Sequence, residues 1–170
     1  MGSRITNLKL ALMSLKANIE EYLDANSWED HYSIYLAGEP MLDGKKFVSD
    51  VKDVGKELEL PIIVFEDGAI FSQVDEIGTS DGYDHIELYA YVYAQNRDVL
   101  DVLSTLVRNK LNGLIFDIYN YFEGTDEIIG TGEIEDVVYH NVSNYDSTYE
   151  AEKHASILST TLIVNNVDLI

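Results

Sequence analysis

Four histidines and one acidic segment hold the side chains of this sequence that are best suited to bind a metal ion. None of the histidines belongs to an H-x-x-x-H pair, and the His-x-Glu spacing occurs at His85 and Glu87. The histidines are His31, His85, His140 and His154. The segment DGYDHIE offers Asp81, Asp84 and Glu87 beside a histidine, but it lacks the Gly and Glu spacing of a calcium loop. We interpret it as a polar loop that enters a strand, and we predict no metal site.

Phosphate chemistry and acid–base catalysis are not indicated either. The chain has no G-x-x-x-x-G-K-[ST] motif. The segment GTGEIE, Gly130 to Glu135, superficially resembles a Gly-rich loop, but it lacks a lysine and its carboxylates would repel phosphate. Paired carboxylates such as Glu133, Glu135 and Asp136 occur throughout so acidic a chain, so they are better explained as a solvated loop. We therefore expect no enzymatic activity and no cofactor.

A row of tyrosines is more informative. Tyr89, Tyr91 and Tyr93 alternate with apolar residues, so they share one face of a predicted strand. Such a row stacks bases, lines a groove or covers a sheet, and base stacking is disfavoured because no cations accompany it. Tyrosine is enriched at protein interfaces. The three residues are therefore subunit-interface candidates, with plain core packing as the alternative.

The overall charge limits the possible partners. The chain has 170 residues, a formal net charge of −20 and no cysteine, so disulfides and thiolate metal sites are excluded. Seven of its eleven basic residues lie between Arg4 and Lys56, so few remain in the rest of the chain. Binding of a phosphate backbone by the residues after Lys56 is therefore disfavoured. An acidic, soluble surface explains the charge, and a surface that repels or mimics nucleic acid is the sharper alternative. No secretory signal or membrane segment is predicted.

The N-terminal half alternates between clear and ambiguous elements. Residues 6–23 are predicted to form a helix, whose buried stripe is Leu8, Leu12, Leu15, Ile19 and Tyr22. A short extended piece is expected at 32–36, and residues 45–60 fit a helical face only in part. The run LPIIVFED predicts a buried strand that ends at an Asp67-Gly68 turn, with AIFSQVDEIG as its hairpin partner.

A strand-to-helix unit follows at Asp84 to Leu111. Ile86, Leu88, Ala90 and Val92 face opposite the tyrosines, Asn96 caps the helix, and Gly113 ends it. GLIFDIYNYF predicts a further strand, residues 123–136 an acidic loop or exposed hairpin, and HASILSTTLIVNNV a terminal strand.

These elements predict an α+β fold: a mostly antiparallel sheet packed against an N-terminal helix and a central amphipathic helix, with an inserted acidic hairpin or loop. We expect one domain over residues 1–170. Its parts are the N-terminal helix at about 6–23, a core strand-helix-strand unit at about 60–122, an acidic insertion at about 123–152 and a C-terminal strand at about 154–166.

The pattern as a whole resembles the tail-terminator and related tail-completion or neck proteins of tailed bacteriophages. The resemblance rests on LPIIVFEDG, on DEIGTSDGYDHIELYAYVYAQNRDVLDVLSTLVRNKL with its Asn96-Arg97-Asp98 turn, on GLIFDIYNY and on HASILSTTLIV. It covers roughly residues 60–166 and consists of patterns of residue types. The segments 26–58 and 123–152 depart from the simplest members of the family.

The resemblance implies a structural virion protein that assembles into a ring, commonly a hexamer, at the head-proximal end of a tail. Such a ring ends tail-tube polymerisation and provides the surface for head-tail joining. Its partners would be copies of itself, tail-tube and sheath protein and head-tail connector proteins, with DNA passing through without specific binding and with no membrane. It would reside in the virion, and in the host cytoplasm during assembly.

A carboxylate-lined channel would repel DNA phosphates within a Debye length of about 8–10 Å. We therefore expect the acidic segment to face the channel or an adjoining ring. Its candidate residues are Glu123, Asp126, Glu127, Glu133, Glu135 and Asp136. The alternatives are another neck or connector component, an acidic nucleic-acid mimic that occupies the basic groove of a DNA-binding protein and, last, a small enzyme.

Overall fold

The computed structural model describes residues 4–37, 41–43, 46–48, 61–74, 82–121, 127–142 and 154–165. Two helices lie in these ranges, α1 at Arg4–Leu23 and α2 at Arg97–Leu111. The strands are β1 (Ser33–Leu36), β2 (Met41–Asp43), β3 (Lys46–Val48), β4 (Ile62–Val74), β5 (Gly82–Ala94), β6 (Ile115–Tyr119), β7 (Ile128–Ile134), β8 (Val138–Val142) and β9 (His154–Asn165). A kinked turn, Asp24–Trp28, follows α1.

Seven of these strands form one sheet, in the order β1-β4-β5-β9-β7-β6, with β8 paired to β9 beside β7. All of its pairs are antiparallel except that of β1 with β4. β2 and β3 form a separate antiparallel pair. The prediction of an α+β fold with a mostly antiparallel sheet and two helices is therefore confirmed.

The core lies between one face of the sheet and the two helices. α2 packs on β5 and β9, while α1 packs on β6, β1 and α2. The buried residues of this layer come from all of these elements and include Leu15, Ile19, Phe65, Leu88, Leu103, Val107 and Leu158. Alternate residues of each strand point into this layer, so the opposite sheet face carries the remaining side chains.

Helix α1 is buried on a broader face than its predicted stripe. Leu12, Leu15 and Ile19 are buried as expected, but Leu10 and Ser14 are fully buried too. The Ser14 hydroxyl donates to the Leu10 carbonyl at 2.9 Å and accepts the N–H of Tyr119 in β6 at 3.1 Å. A helix that contacts a sheet and a second helix at once buries more than one stripe.

Helix α2 begins and ends where its sequence predicts. The Asn96 side chain accepts the N–H of Val99 at 2.9 Å, which satisfies one of the free donors at the helix start. Arg108 and Lys110 occupy the last turn, where cations favour the helix dipole. Gly113 then adopts a positive φ of 70°, a conformation that glycine adopts without steric strain.

The Asp67-Gly68 turn and a separate hairpin partner that starts at Ala69 are wrong predictions as far as Val74, and residues 75–78 lie outside the described ranges. β4 runs through Asp67 and Gly68 to Val74 and pairs with β5 on both sides of them. The register shifts between Asp67 and Ile70, as in a β-bulge. Glycine suits bulges as well as turns, so the same two residues favour either structure.

The inserted acidic hairpin at 123–152 is not confirmed. Ile128–Ile134 and Val138–Val142 are instead strands of the main sheet: β7 pairs with β6 and β9, and β8 pairs with β9. The Glu135 N–H donates to the Thr161 carbonyl at 3.0 Å, so the β7–β8 link also stays on the sheet. The segment joins the main sheet because apolar residues lie between its acidic ones, and two of them, Ile134 and Val137, are buried. The rest of the predicted insertion lies outside the described residues, as do most of 45–60.

Candidate functional site

The two faces of strand β5 differ in burial. Ile86, Leu88, Ala90 and Val92 are at most 2% exposed and face the helices. Tyr89 and Tyr91 point the other way and are half-buried. We call the sheet face opposite the helices the outer face.

Tyr89 and Tyr91 form an ordered pair on the outer face. Their ring centroids are 6.4 Å apart with planes tilted by 37°. The Tyr89 hydroxyl is 3.4 Å from Glu87 Oε2, and the Tyr91 hydroxyl donates a hydrogen bond to Glu66 of β4. Burial raises the pKa of Tyr91 to about 12, and the negative charge of Glu66 adds to the shift. Tyr91 therefore stays protonated at neutral pH and presents a donor beside a carboxylate.

Tyr93 has a different environment from the other two tyrosines. It is 2% exposed and packs with Ile62, Val64 and Ala155 in a small second core on the outer face. Tyr93 therefore offers almost no surface to a partner, which favours core packing for this residue. Tyr89 and Tyr91 remain the interface candidates of the row.

The bulge in β4 fixes the position of Glu87. The Ala69 N–H donates to Glu87 Oε2 at 3.2 Å. A Cβ at Gly68 would lie 3.1 Å from Glu87 Cβ and 3.1 Å from Tyr89 Cε2, closer than side-chain carbons ordinarily approach. Gly68 is thus needed because the Glu87 and Tyr89 side chains occupy the space over it.

Exposed apolar side chains extend the outer face beyond the tyrosines. Phe71 of β4 is 62% exposed, Ile115 of β6 is 68% exposed and Val138 of β8 is 53% exposed. Their strand neighbours place all three on the outer face, with Ile115 opposite Glu133. The three lie on different strands, and singly exposed apolar residues are common on protein surfaces, so they add apolar area to the outer face without by themselves marking an interface. The sequence-based prediction missed these three residues, although each occupies an outward position of its strand.

The acidic candidates do not form one loop in this structure. Glu133, Glu135 and Asp136 are exposed at one end of β7, whereas Glu127 precedes its other end. A strand rises about 3.3 Å per residue, so the two groups are separated by roughly 20 Å. Glu123 and Asp126 lie outside the described residues.

The histidines are dispersed. No group of three or more His, Asp or Glu side chains within the described ranges could hold a metal ion. Asp84 is buried, while its neighbour His85 is on the outer face. The side chains of these two residues of the DGYDHIE segment therefore lie on opposite faces of the sheet. His140 Nε2 lies 3.1 Å from Ser159 Oγ. Asp81 is outside the part of the chain that the structure describes.

A G-x-S-x-G motif at Gly78–Gly82 was overlooked in the sequence-based prediction. Ser80 has the spacing of a nucleophile elbow, in which the serine lies on a sharp turn from a strand into a helix. Here the motif connects β4 to β5, two antiparallel strands of one sheet. The flanking elements therefore do not match the elbow, and Ser80 itself is outside the described residues.

A groove beside the kinked turn was also not predicted. It has a volume of about 390 Å³ and is lined by Trp28, His31, Tyr32 and Val99, among others. The Tyr32 hydroxyl is 2.7 Å from Asp24 Oδ1 and 3.1 Å from the Glu20 carbonyl. Burial raises the pKa of Tyr32, and the hydrogen bond to Asp24 raises it further. These contacts satisfy the hydroxyl and tie the end of α1 to the start of β1.

Together these features define an α+β protein with one sheet face covered by helices and the other carrying tyrosines, carboxylates and exposed apolar side chains. No protein-family model matches the chain, and no curated protein sequence is significantly similar to it. Neither helix of the described ranges has the length and apolar content required to cross a membrane.

Proposed function

We propose that this chain is a structural virion protein that forms a ring at the head-proximal end of a phage tail, ends tail-tube polymerisation and provides the surface for head-tail joining. The observation that carries the proposal is the outer face, where Tyr89 and Tyr91 lie among exposed apolar residues while the helices fill the opposite face. The family resemblance of residues 60–166 supplies the biological setting.

The outer face suits contacts between neighbouring subunits. Tyr89 and Tyr91 are held by Glu87 and Glu66, so little side-chain entropy remains to be lost when a partner covers them. Tyrosine contributes a large apolar area with a polar tip, as interface residues do. If this face meets a different surface of the next copy, the contact is heterologous and closes a ring when the rotation allows, with six copies as the expected number.

The acidic residues fit a channel through which DNA passes without being bound. Glu133, Glu135 and Asp136 are exposed together beside β9. In a ring, each subunit would contribute one such group around the axis. Their charge would act on phosphates within about 8–10 Å at ordinary salt. We assign the channel side, or the contact with an adjoining ring, to this end of β7, while Glu127 lies at its other end.

The partners of such a ring are copies of this chain, the tail-tube protein, sheath protein and the head-tail connector. Deleting the gene from its phage and imaging the particles by electron microscopy tests the role directly. Overlong or headless tails are expected. Normal virions would exclude both tail termination and head-tail joining.

Light scattering after size exclusion tests assembly, with the chain alone and with tail-tube protein added. A ring mass in either sample is expected. A monomer in both samples that instead binds a basic DNA-binding protein would favour the acidic-mimic alternative, for which the net charge of −20 is the supporting observation.

A further inference from the structure

Strand β6 is an edge of the sheet. One side of β6 pairs with β7, and no strand among the described residues pairs with the side of β6 that points away from β7. The Leu114 carbonyl accepts from Ile134 of β7, whereas the Tyr119 N–H points away from β7 to Ser14. Backbone groups alternate along a strand, so those of Ile115 and Asp117 point outward. Both residues are exposed, and no strand among the described residues pairs with them on this side. Ser14 of α1 occupies the edge at Tyr119, so the stretch accessible to a further strand is Ile115–Asp117.

The opposite edge of the sheet differs. The Ser33 N–H donates to the carbonyl of Pro61, just before β4, and the Ala37 N–H donates to Phe65 of β4, which leaves the backbone groups of Ile34 and Leu36 on the side away from β4. Ile34 is 5% exposed and Leu36 is 4% exposed, so this edge is covered within the protomer. β6 is therefore the edge at which a strand from outside has access to backbone groups.

A groove of about 320 Å³ runs along the β6 edge next to α1. Its lining includes Ala17 and Glu21 of α1, Ile115 and Asp117 of β6, and the rings of Tyr119 and Tyr121. The two rings lie 6.3 Å apart with planes tilted by 60°. Two carboxylates and two tyrosine rings, with no Lys or Arg among the lining residues, form a suitable environment for a cationic side chain.

We propose that this groove binds an extended segment of another protein, which adds as a strand to β6 and places a Lys or Arg between Glu21, Asp117 and the Tyr119–Tyr121 rings. Strand addition supplies backbone hydrogen bonds, and alternate side chains supply the specificity. An apolar residue next to the cation would cover Ile115. A second copy of this chain is disfavoured as the occupant because each copy carries a net charge of −20.

The test uses the full chain and two capped nonapeptides, one of alternating valine and lysine and one of alternating valine and glutamate. Fluorescence polarisation measures their binding, and amide hydrogen exchange by NMR reports the Ile115 and Asp117 N–H groups. The lysine peptide is expected to bind and to slow exchange at both amides, while the glutamate peptide does neither. Because any cationic peptide is attracted to so acidic a protein, slowed exchange at these two amides is the required result.

Variants separate strand addition from charge attraction. Glu21→Gln and Asp117→Asn each remove one carboxylate and should weaken binding by roughly three- to tenfold. Asp117→Pro also removes an outward N–H, which an edge strand tolerates, and should weaken binding more than Asp117→Asn does. Glu29→Gln removes an exposed charge elsewhere and should have little effect. If Asp117→Pro and Asp117→Asn lost the same affinity for the lysine peptide, strand addition would be contradicted. If Glu29→Gln lost as much affinity as the groove variants, the binding would be nonspecific charge attraction.

The amide-exchange measurement uses the unmodified chain, so it decides the matter even if Asp117→Pro fails to fold. Unchanged exchange at Ile115 and Asp117 with saturating lysine peptide would overturn strand addition. A loss of self-association in Asp117→Pro would assign the edge to a second copy and overturn it as well. The Tyr89→Ala and Tyr91→Ala variants should bind the peptide normally, so failure of the ring proposal and failure of this one are distinguishable.

Discussion

The ring of Phe116 in β6 occupies the space over Gly132 in the neighbouring strand β7. The two residues are directly opposite in the antiparallel register, and a Cβ built on Gly132 would overlap the Phe116 ring. Both residues are buried. Gly132, the second glycine of GTGEIE, is therefore required by packing. The segment belongs to a strand, and the Phe116 ring fills the space that a side chain at Gly132 would occupy.

Replacement of Gly132 by alanine should destabilise the protein by about 1–3 kcal/mol, because the added methyl group overpacks the core against Phe116. Urea unfolding followed by circular dichroism measures the difference. Combining Gly132→Ala with Phe116→Leu should cost less than the sum of the single changes, since the smaller side chain frees space. Additive effects would mean that the glycine is required for another reason.

A matched glycine gives a control for that experiment. Gly113 has a positive φ of 70°, but no atom lies within 4 Å of the position of its Cβ. Gly113→Ala should therefore destabilise through backbone strain of about 1 kcal/mol, whereas Gly113→Asn should be tolerated better because asparagine adopts this conformation more readily. Gly132→Asn should be worse than Gly132→Ala. The opposite ranking at either position would contradict the assignment of strain to Gly113 and of overlap to Gly132.

A buried pair of hydroxyls connects α2 to the sheet. Ser104 Oγ and Ser156 Oγ are 2.7 Å apart, and both side chains are buried. Ser104→Ala or Ser156→Ala alone should destabilise by about 1–3 kcal/mol, because each leaves the other hydroxyl without this partner. The double variant should lose less than the sum, and a double-mutant cycle from urea unfolding measures the coupling. A coupling near zero would mean that each hydroxyl finds another acceptor.

The sequence predicted best what local interactions determine. The Asn96 cap, the helix that follows it and the burial of Ile86 and Leu88 depend on short-range spacing, and all are present. The bulge at Gly68 was predicted as a turn because the same residue types favour both structures. β7 was predicted as part of an acidic insertion because glycines interrupt it and carboxylates lie within it and beside it, at Glu127, Glu133, Glu135 and Asp136.

The candidate site was predictable only in part for a related reason. The tyrosine row follows from alternation within one strand, whereas the contact of Tyr91 with Glu66 depends on the register between β4 and β5. Burial of Tyr93 depends on Ile62 and Ala155, which lie far from it in the chain. Strand register and cross-strand neighbours are properties of the folded sheet, and a local pattern does not specify them.

The burial of Tyr91 beside Glu66 predicts a loss of stability in alkaline solution. An unfolded tyrosine loses its proton near pH 10, whereas Tyr91 in the folded chain has a pKa of about 12. Between these values the folded chain binds more protons, so this contribution to stability is complete below about pH 10 and is lost as the pH rises towards 12. Urea unfolding at pH 9 and pH 11.5 should show a larger loss for the unmodified protein than for Tyr91→Phe.

Glu66→Gln serves as the control for this titration. It should lower the pKa of Tyr91 in part but leave it raised relative to an unfolded tyrosine, because burial is the largest cause of the shift. Difference absorbance of tyrosinate between each protein and its Tyr91→Phe variant isolates this residue from the other eleven tyrosines. The same alkaline slope with and without Tyr91 would contradict the assignment.

Differences in burial along the tyrosine row predict separate effects on folding and on assembly. Tyr93→Ala should destabilise the protomer by about 3–5 kcal/mol, because this side chain is 2% exposed and packs in the second core. Tyr89→Ala and Tyr91→Ala should each cost the protomer only about 1 kcal/mol. If the outer face is a subunit interface, the latter two changes should weaken ring formation by roughly tenfold or more.

Light scattering over a concentration series measures assembly, and urea unfolding of the same samples measures folding. Val102→Ala is the matched control, because Val102 is 50% exposed on α2 and lies outside the outer face. It should change neither quantity by much, since its side chain is already in contact with water. Loss of assembly in proportion to loss of stability at Tyr89 and Tyr91 would instead assign them, like Tyr93, to the packing of the protomer, and the subunit interface would have to lie elsewhere.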